Sequence, residues 1–221
     1  MPSDAVHGKR FPGKKPFIKI CGLTDPETAL ECARLGADAI GLVFYEKSPR
    51  NISVKTAARI SNTLPDHILT IGVFVNNTFD EIMEKVRSCS LKGVQLHGNE
   101  SSDLIDRLKE DNLVVIKALF AKKHPFLTEA ESYKNADFLL VEYGKGVLPG
   151  GNAESWDYRL SLQLKTHIPV VLAGGLTPAN VRQAITSANP AGIDVSSGVE
   201  KSPGVKDLIK VKSFITRARS L

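Results

Sequence analysis

One cysteine of this sequence stands where a short apolar run meets a turn. Cys21 closes the run FIKIC and is followed by Gly22, Leu23 and Thr24. A lone cysteine is most often a small buried apolar residue. Its thiol also has an ordinary pKa of about 8.5, so a fraction is thiolate near neutral pH and can react. Cys21 therefore either packs in the core or does chemistry, and its place in the fold decides between the two.

Two glycine- and serine-containing stretches have the composition of an anion site. The stretch AGGLTPANV covers residues 173–181, and DVSSGVE covers residues 194–200. Glycine lets backbone N–H groups approach a ligand closely, because it carries no side chain, and serine adds hydroxyl groups. The candidate phosphate-binding residues are Gly174, Gly175, Ser196, Ser197 and Gly198.

Eight Val-, Ile- and Leu-rich runs alternate with amphipathic stretches and must position these residues. The runs are typical of buried strands that end in polar or glycine-containing turns. The predicted strands cover 17–21, 38–44, 68–75, 93–97, 113–118, 137–142, 169–174 and 192–197. Apolar residues at helical spacing, several of them behind a Ser, Thr or Asp cap, predict helices between the strands. The predicted helices cover 25–36, 53–64, 78–89, 100–111, 125–134, 155–166, 177–188 and 205–219.

This alternation predicts a parallel sheet covered by helices on its outer face. About eight strand–helix units in 221 residues fit one closed (β/α)8 barrel, a single α/β TIM-barrel domain over residues 16–221. The alternative, an open doubly wound sheet, would place a G-x-G-x-x-G turn after the first strand. The turn here reads CGLTDP, which lacks that pattern. Residues 1–15, rich in Gly, Pro and Lys, are predicted to form a flexible basic tail.

A barrel of this kind carries its chemistry at the carboxyl ends of the strands. Cys21 then lies at the mouth of the barrel, which favours a chemical role over packing. The two anion-binding stretches follow the seventh and eighth strands, the usual phosphate site of this fold. Lys19 points to the same side of its strand as Cys21, where an ion pair with Asp194 is expected. The sequence therefore predicts a phosphorylated small ligand.

Composition argues against several other classes of protein. The net charge is +5, but basic residues gather near both termini and no nucleic-acid motif is present, so nucleic acid is not an expected partner. No apolar run has the length of a membrane span or the pattern of a secretory signal, so no membrane partner is expected. Three cysteines without C-x-x-C spacing predict neither disulfides nor a metal site and fit a reducing, cytoplasmic setting. Cys32 and Cys89 fall in predicted helices and are expected to pack.

Several motifs follow one another in an order that is far more specific than any one of them. They are KICGLT, GLVFYEKSPR, GVFVN, VQLHG, AGGLTPANV, and DVSSGVE with the following PGVKD. From Phe17 onward the chain thereby resembles the phosphoribosylanthranilate isomerases of tryptophan biosynthesis. That family is a cofactor-free (β/α)8 barrel. It converts N-(5′-phosphoribosyl)anthranilate to 1-(2-carboxyphenylamino)-1-deoxyribulose 5-phosphate in an Amadori rearrangement.

The resemblance implies roles for individual residues. The reaction needs a base that takes the proton from C2 of the sugar, and Cys21 matches that base. Arg50 matches the residue that pairs with the anthranilate carboxylate, a task for which a planar guanidinium is well suited. Asp194 matches a residue near the sugar hydroxyls. Gln95 and His97 alternate on one face of the fourth strand and either line the pocket or support it.

The chain departs from the family pattern after its sixth strand. The family's general acid, which protonates the ribose ring oxygen, is an Asp at the strand end, but here FLLVE places Glu142 there. Asp137 is no substitute, because it opens the strand and faces the floor of the barrel. The following loop changes too. Where the family has a GGTGK-like run, this chain has Gly150 to Ser155, with Ala153 and Glu154 in place of a Gly and a Lys.

Three functions are compared on this basis. The first is the isomerase, with Cys21 as base, Glu142 as acid and no cofactor or metal. The second is a phosphate-ligand-binding barrel whose catalysis is weakened or shifted to another substrate. The third is the related Amadori enzyme of the histidine pathway, which uses paired Asp residues at strands one and five. Cys21 and Ala118 end those strands here, which argues against the third. Both monomers and homodimers occur in the family.

Overall fold

The computed structural model describes residues 5–6, 9–10, 16–144 and 155–221. Eight parallel strands form a closed barrel in which the last strand pairs with the first, so the predicted (β/α)8 fold is confirmed. The strands are β1 (Phe17–Cys21), β2 (Ala39–Phe44), β3 (Leu69–Phe74), β4 (Gly93–Leu96), β5 (Val114–Phe120), β6 (Phe138–Glu142), β7 (Val170–Leu172) and β8 (Gly192–Val195).

The strands are buried on both faces, which explains why their sequences are continuous apolar runs. Along β5, Val114, Ile116 and Ala118 belong to the cluster that fills the barrel interior. Val115 and Leu119 point the other way and pack in the larger cluster between the strands and the surrounding helices. The barrel interior is therefore a packed core, and space for a ligand is left only at its ends.

Six α-helices of the described residues surround the barrel. They are α1 (Pro26–Arg34), α2 (Val54–Thr63), α3 (Phe79–Cys89), α4 (Ser102–Glu110), α5 (Val181–Ala188) and α6 (Leu208–Arg219). Their starts follow capping rules read from the sequence. The Asp25 carboxylate accepts from Thr28 N at 2.8 Å, and Thr78 and Glu81 form a reciprocal capping box. These two caps fix where the loops after β1 and β3 end.

The fifth and sixth predicted α-helices were wrong in type. Residues Leu127–Tyr133 and Tyr158–Gln163 form 3-10 helices instead. The buried side chains of the first segment, Ala130 and Tyr133, lie three residues apart. A spacing of three matches the 3.0 residues per turn of a 3-10 helix, and in a short segment it also fits one face of an α-helix, so the sequence did not distinguish the two.

The segment between β8 and α6 also differs from the prediction. Residues 205–207 were expected to begin a helix, but Val205–Lys206 pairs with Glu200–Ser202 in a two-stranded antiparallel hairpin, called the C-terminal hairpin below. α6 begins only after Asp207, whose side chain caps it. The hairpin lies against the mouth, since Thr24 Oγ1 donates to Gly204 O at 2.8 Å.

The first fifteen residues contribute one small element. Ala5–Val6 and Lys9–Arg10 pair as antiparallel strands, and the other residues of the predicted basic tail lie outside the described residues, so its flexibility stays a prediction. Among the helices that the structure describes, none combines the length and the apolar character needed to cross a membrane.

Candidate active site at the carboxyl ends of the strands

A cavity opens at the carboxyl ends of the strands and is called the mouth cavity below. It encloses about 790 Å³, counting the open solvent at its entrance. Every residue singled out from the sequence as a site candidate lines it. They are Cys21, Arg50, Gln95, His97, Glu142, Gly174, Gly175, Asp194, Ser196, Ser197 and Gly198. Residues more than 170 positions apart in the chain thus meet in one site because parallel strands end at the same face.

Cys21 ends β1 with its side chain toward the mouth cavity, where only 7% of the residue is exposed. Its Sγ lies against β2 at Gly41, and a Cβ added to that glycine would be 2.7 Å from the sulfur. Burial raises the pKa of the Cys21 thiol, while Lys19 and, more weakly, Lys206 oppose the rise. The thiolate is therefore a minority form at neutral pH, and nearby cations determine how small that minority is.

Lys19 forms the ion pair that the sequence predicts. Its Nζ donates to Asp194 Oδ1 at 2.9 Å, and the lysine is fully buried. Burial works against its charge, but Asp194 and Cys21 more than offset this, so the pKa of Lys19 lies above its ordinary value. Lys19 is thus held as an ammonium beside the thiol, with its main partner across the β1–β8 seam.

Glu142 ends β6 and is 5% exposed. Its Oε1 lies 3.8 Å from His97 Nε2, which is beyond a direct hydrogen bond. The other ring nitrogen, Nδ1, is 2.9 Å from Gln95 Nε2. His97 Nε2 and Gln95 Oε1 are buried and have no hydrogen-bond partner among the described residues. Buried polar atoms without partners are unfavourable unless a ligand or water satisfies them, so this wall of the cavity is suited to a polar ligand.

Arg50 lies on the opposite side of the cavity, in the loop after β2. One edge of its guanidinium group is bonded to a carboxylate. Its Nε and Nη2 donate to the two oxygens of Glu200 at 2.8 and 2.7 Å. Its stem crosses Gly22, where an added Cβ would lie 2.5 Å from Arg50 Cδ. Gly22 also has a φ of +79°, a conformation that favours glycine. The turn after Cys21 therefore allows the arginine to reach the cavity.

The two predicted anion-binding stretches meet at the rim. Gly174 and Gly175 have φ values of +81° and +66°, which turn the chain after β7 as only glycine does readily. Gly198 lies so close to the other stretch that an added Cβ would be 1.8 Å from Leu176 O. Asn180 Nδ2 donates to Gly175 O at 2.9 Å and braces the turn. Close backbone approach without side chains is the arrangement expected of a phosphate cradle.

Two charged residues of the site were not assigned a role from the sequence. Glu200 and Lys206, both in the C-terminal hairpin, are 7% and 5% exposed and bond to each other at 2.7 Å. A sequence pattern gives no sign of this, because charged residues around a Pro-Gly turn usually face solvent. Their facing positions, Glu200 opposite Lys206 in the hairpin, were the available signal once the turn was recognised.

Part of the predicted departure from the family lies beyond the described residues. The loop Gly150 to Ser155 is described only at Ser155. Just after it, Trp156 Nε1 donates to Ala173 O at 2.9 Å and Tyr158 Oη to Gly174 O at 3.0 Å. Asp137, excluded as an acid, is buried at the other end of β6 and accepts from Val115 N at 2.7 Å.

Comparison with known proteins decides the family. Residues 18–217 match the family model described as N-(5′-phosphoribosyl)anthranilate isomerase. The chain belongs to the N-(5′-phosphoribosyl)anthranilate isomerase family. A curated member from Desulfatibacillum aliphaticivorans is 51% identical over 201 residues, which cover 91% of this chain and 92% of that one. One from Rubrobacter xylanophilus is 41% identical over 92% of this chain and 98% of that one.

Solved structures of N-(5′-phosphoribosyl)anthranilate isomerases share the barrel. The Thermotoga maritima enzyme superposes with a TM-score of 0.85 at 39% identity, covering 93% of this chain and all of that one. A structure of such an isomerase in complex with reduced 1-(o-carboxyphenylamino)-1-deoxyribulose 5-phosphate gives a TM-score of 0.82 at 39% identity, with the same coverage. The resemblance inferred from the motifs is therefore confirmed at the level of both sequence and fold.

Proposed function

We propose that the mouth cavity catalyses the Amadori rearrangement of N-(5′-phosphoribosyl)anthranilate, with Cys21 as general base and Glu142 as general acid. The observation that carries the assignment is that both side chains line one cavity together with the phosphate cradle and Arg50. These groups match the parts of the substrate: a phosphate, a sugar with a proton to move, and an aromatic carboxylate. The chain then acts as an isomerase of tryptophan biosynthesis without a cofactor.

The proton transfers follow from the positions of the two groups. Glu142 gives a proton to the ribose ring oxygen as the C1–O bond breaks, and the nitrogen lone pair forms the C1=N bond of a Schiff base. The Cys21 thiolate then takes the C2 proton, the electrons of the C2–H bond form a C1=C2 double bond, and the C1=N π electrons return to nitrogen, which gives an enolamine. Protonation at C1 and loss of the hydroxyl proton give the ketone, so the substrate is isomerised and no oxidant is consumed. β7 and β8 lie between β6 and β1 in the closed barrel, and this separation lets acid and base act at different atoms.

Arg50 is suited to the carboxylate because only one of its edges is occupied. Glu200 takes Nε and Nη2, and Nη1 has no acceptor among the described residues. The end-on edge, formed by Nη1 and the second hydrogen of Nη2, remains for a bidentate contact with a ligand carboxylate. Asp194 and His97 line the wall between this anchor and Glu142 and are suited to the sugar hydroxyls.

The test is turnover of substrate generated in situ, followed as loss of its fluorescence, in the parent and three variants. Cys21→Ala and Glu142→Gln should each lower kcat by about 10²-fold or more, the usual contribution of a positioned acid or base. Cys32→Ala is the matched control, since Cys32 is also buried but lies on α1 outside the cavity, and it should keep its kcat. Undiminished turnover by folded Cys21→Ala would refute the assignment of the base.

Glu142 in place of the family Asp favours one second candidate, a barrel that binds the phosphorylated ligand without turning it over. A parent protein that binds reduced 1-(o-carboxyphenylamino)-1-deoxyribulose 5-phosphate but shows no turnover would establish that alternative. We also propose a cytoplasmic location, because all three cysteines are free thiols in the structure. The active species is a monomer or a homodimer, which sedimentation equilibrium distinguishes.

A further inference from the structure

Arg50 is part of a buried three-residue cluster whose other members, Glu200 and Lys206, lie in the motifs DVSSGVE and PGVKD but were assigned no role from them. Glu200 Oε1 accepts from both Arg50 Nε at 2.8 Å and Lys206 Nζ at 2.7 Å, and Glu200 Oε2 accepts from Arg50 Nη2 at 2.7 Å. All three residues are less than 9% exposed. Three buried charges so close together are unfavourable unless their geometry and partners are well matched. A functional role would explain why the protein buries them.

The charges of the cluster do not cancel. Arg50 and Lys206 are cations and Glu200 is the single anion that both contact, which leaves one positive charge beside the mouth cavity. Burial works against the charge of Glu200, but Arg50 and Lys206 hold its pKa below the ordinary value. The carboxylate thus stays ionised, and one further carboxylate would make the cluster neutral.

Lys206 connects this end of the cavity to the phosphate cradle. Besides Glu200, its Nζ donates to Ser196 O at 3.2 Å and to Ser196 Oγ at 3.3 Å. Ser196 is one of the cradle residues, so a single ammonium group contacts both the support of Arg50 and the start of the cradle. The distance between the two anion sites is in this way fixed by side chains of one hairpin.

We infer that Glu200 is a positioning residue, which holds the side-on edge of Arg50 so that its end-on edge meets the carboxylate of the ligand, while Lys206 neutralises Glu200. The inference rests on the proposed function, because it takes the ligand carboxylate to be the partner of Arg50. It adds that selectivity for a carboxylated ligand depends on a residue that never touches it. A side chain that is already held in its binding conformation loses less conformational entropy when the ligand binds, which favours affinity.

The test compares two probes by titration calorimetry. One is reduced 1-(o-carboxyphenylamino)-1-deoxyribulose 5-phosphate, and the other is its counterpart without the ring carboxylate. Glu200→Gln removes one of the two acceptors of Arg50, so the preference for the carboxylated probe should fall about tenfold, the effect of losing one charged hydrogen bond. Affinity for the probe without the carboxylate should stay within about twofold, which also shows that the variant is folded.

Three further variants separate the possible outcomes. Glu200→Asp keeps the charge but shortens the reach, so it should lose preference like Glu200→Gln if position is what matters. Glu110→Gln, an exposed acid at the end of α4, is the matched control and should change neither affinity. Arg50→Met should abolish the preference altogether, as the proposed function requires.

Each result has one meaning. If Arg50→Met loses the preference while both Glu200 variants keep it, the positioning role is wrong and the proposed carboxylate anchor stands. If Arg50→Met keeps the preference, the anchor itself is wrong. A higher affinity of Glu200→Gln for the carboxylated probe would show that Glu200 acts only by repelling the ligand. That result would also overturn the inference.

Discussion

Replacing Lys19 by methionine should destabilise the protein by an amount that the structure allows to be worked out. The substitution keeps an unbranched side chain only one atom shorter but removes the ammonium that bonds Asp194 at 2.9 Å. Breaking a buried ion pair from one side usually costs about 3–5 kcal/mol, because the remaining charge is left without a partner. Asp194 lines the mouth cavity and can recruit water there, so we expect the lower end, about 3 kcal/mol.

Thermal and urea unfolding of Lys19→Met, Asp194→Asn and the double variant measure this directly. A loss of about 3 kcal/mol corresponds to a Tm about 6–12 °C lower for a chain of this size. The double variant should lose less stability than the sum of the two single losses, and the difference, the coupling energy, should be about 1–3 kcal/mol. A coupling below about 0.5 kcal/mol would refute the claim that the pair acts as a unit. Because the pKa of Lys19 is raised, the contribution of the pair should be complete at neutral pH and lost only as pH rises above the ordinary lysine range.

Three further predictions concern the mouth cavity. Iodoacetamide should modify Cys21 slowly at pH 7, and the rate should still rise about tenfold per pH unit beyond the ordinary thiol pKa near 8.5. Cys32, whose pKa burial raises to about 12, should stay unmodified. A modification rate that levels off below pH 8 would contradict the raised pKa of Cys21. Gly22→Ala should raise KM for the substrate more than it lowers kcat, since the new Cβ displaces the guanidinium anchor, and steady-state kinetics that show an unchanged KM would contradict this. Gly198→Ala should weaken binding of inorganic phosphate about tenfold or more, because its Cβ cannot stand 1.8 Å from Leu176 O; equal affinity by calorimetry would place the phosphate elsewhere.

The sequence was sufficient for the parts of the fold that depend on local pattern. Both faces of each barrel strand are buried, so β1 and its neighbours read as continuous apolar runs. Their number and spacing then gave the barrel, and the barrel placed Cys21 at the mouth. The starts of α1 and α3 were also predictable, because a cap such as Asp25 acts within one turn.

Long-range contacts between charged residues were the part that the sequence could not supply. The Lys19–Asp194 pair was predictable because both residues lie on strands of known facing direction that meet in a closed barrel. Lys206 lies in a hairpin strand that was predicted as the start of a helix, and Glu200 lies in the other strand, between two predicted elements. Their burial and their contact with Arg50 therefore had no local signature. The 3-10 helices were missed similarly, because spacings of three and of three-or-four overlap in short segments.

The positions of the two cations near Cys21 bear on how the base works once a ligand is bound. The surplus positive charge of the Arg50 cluster is the part that a ligand carboxylate would neutralise, so in the complex it no longer favours the thiolate. Lys19 is different, because it lies below the cavity floor with no exposed surface and keeps its charge whatever binds above. The thiolate fraction of Cys21 in the complex therefore depends mainly on Lys19. Lys19→Met should lower kcat and leave the affinity for the reduced product analogue nearly unchanged. A variant whose affinity falls as steeply as its kcat would show instead that Lys19 shapes the binding site and not the basicity of the thiol.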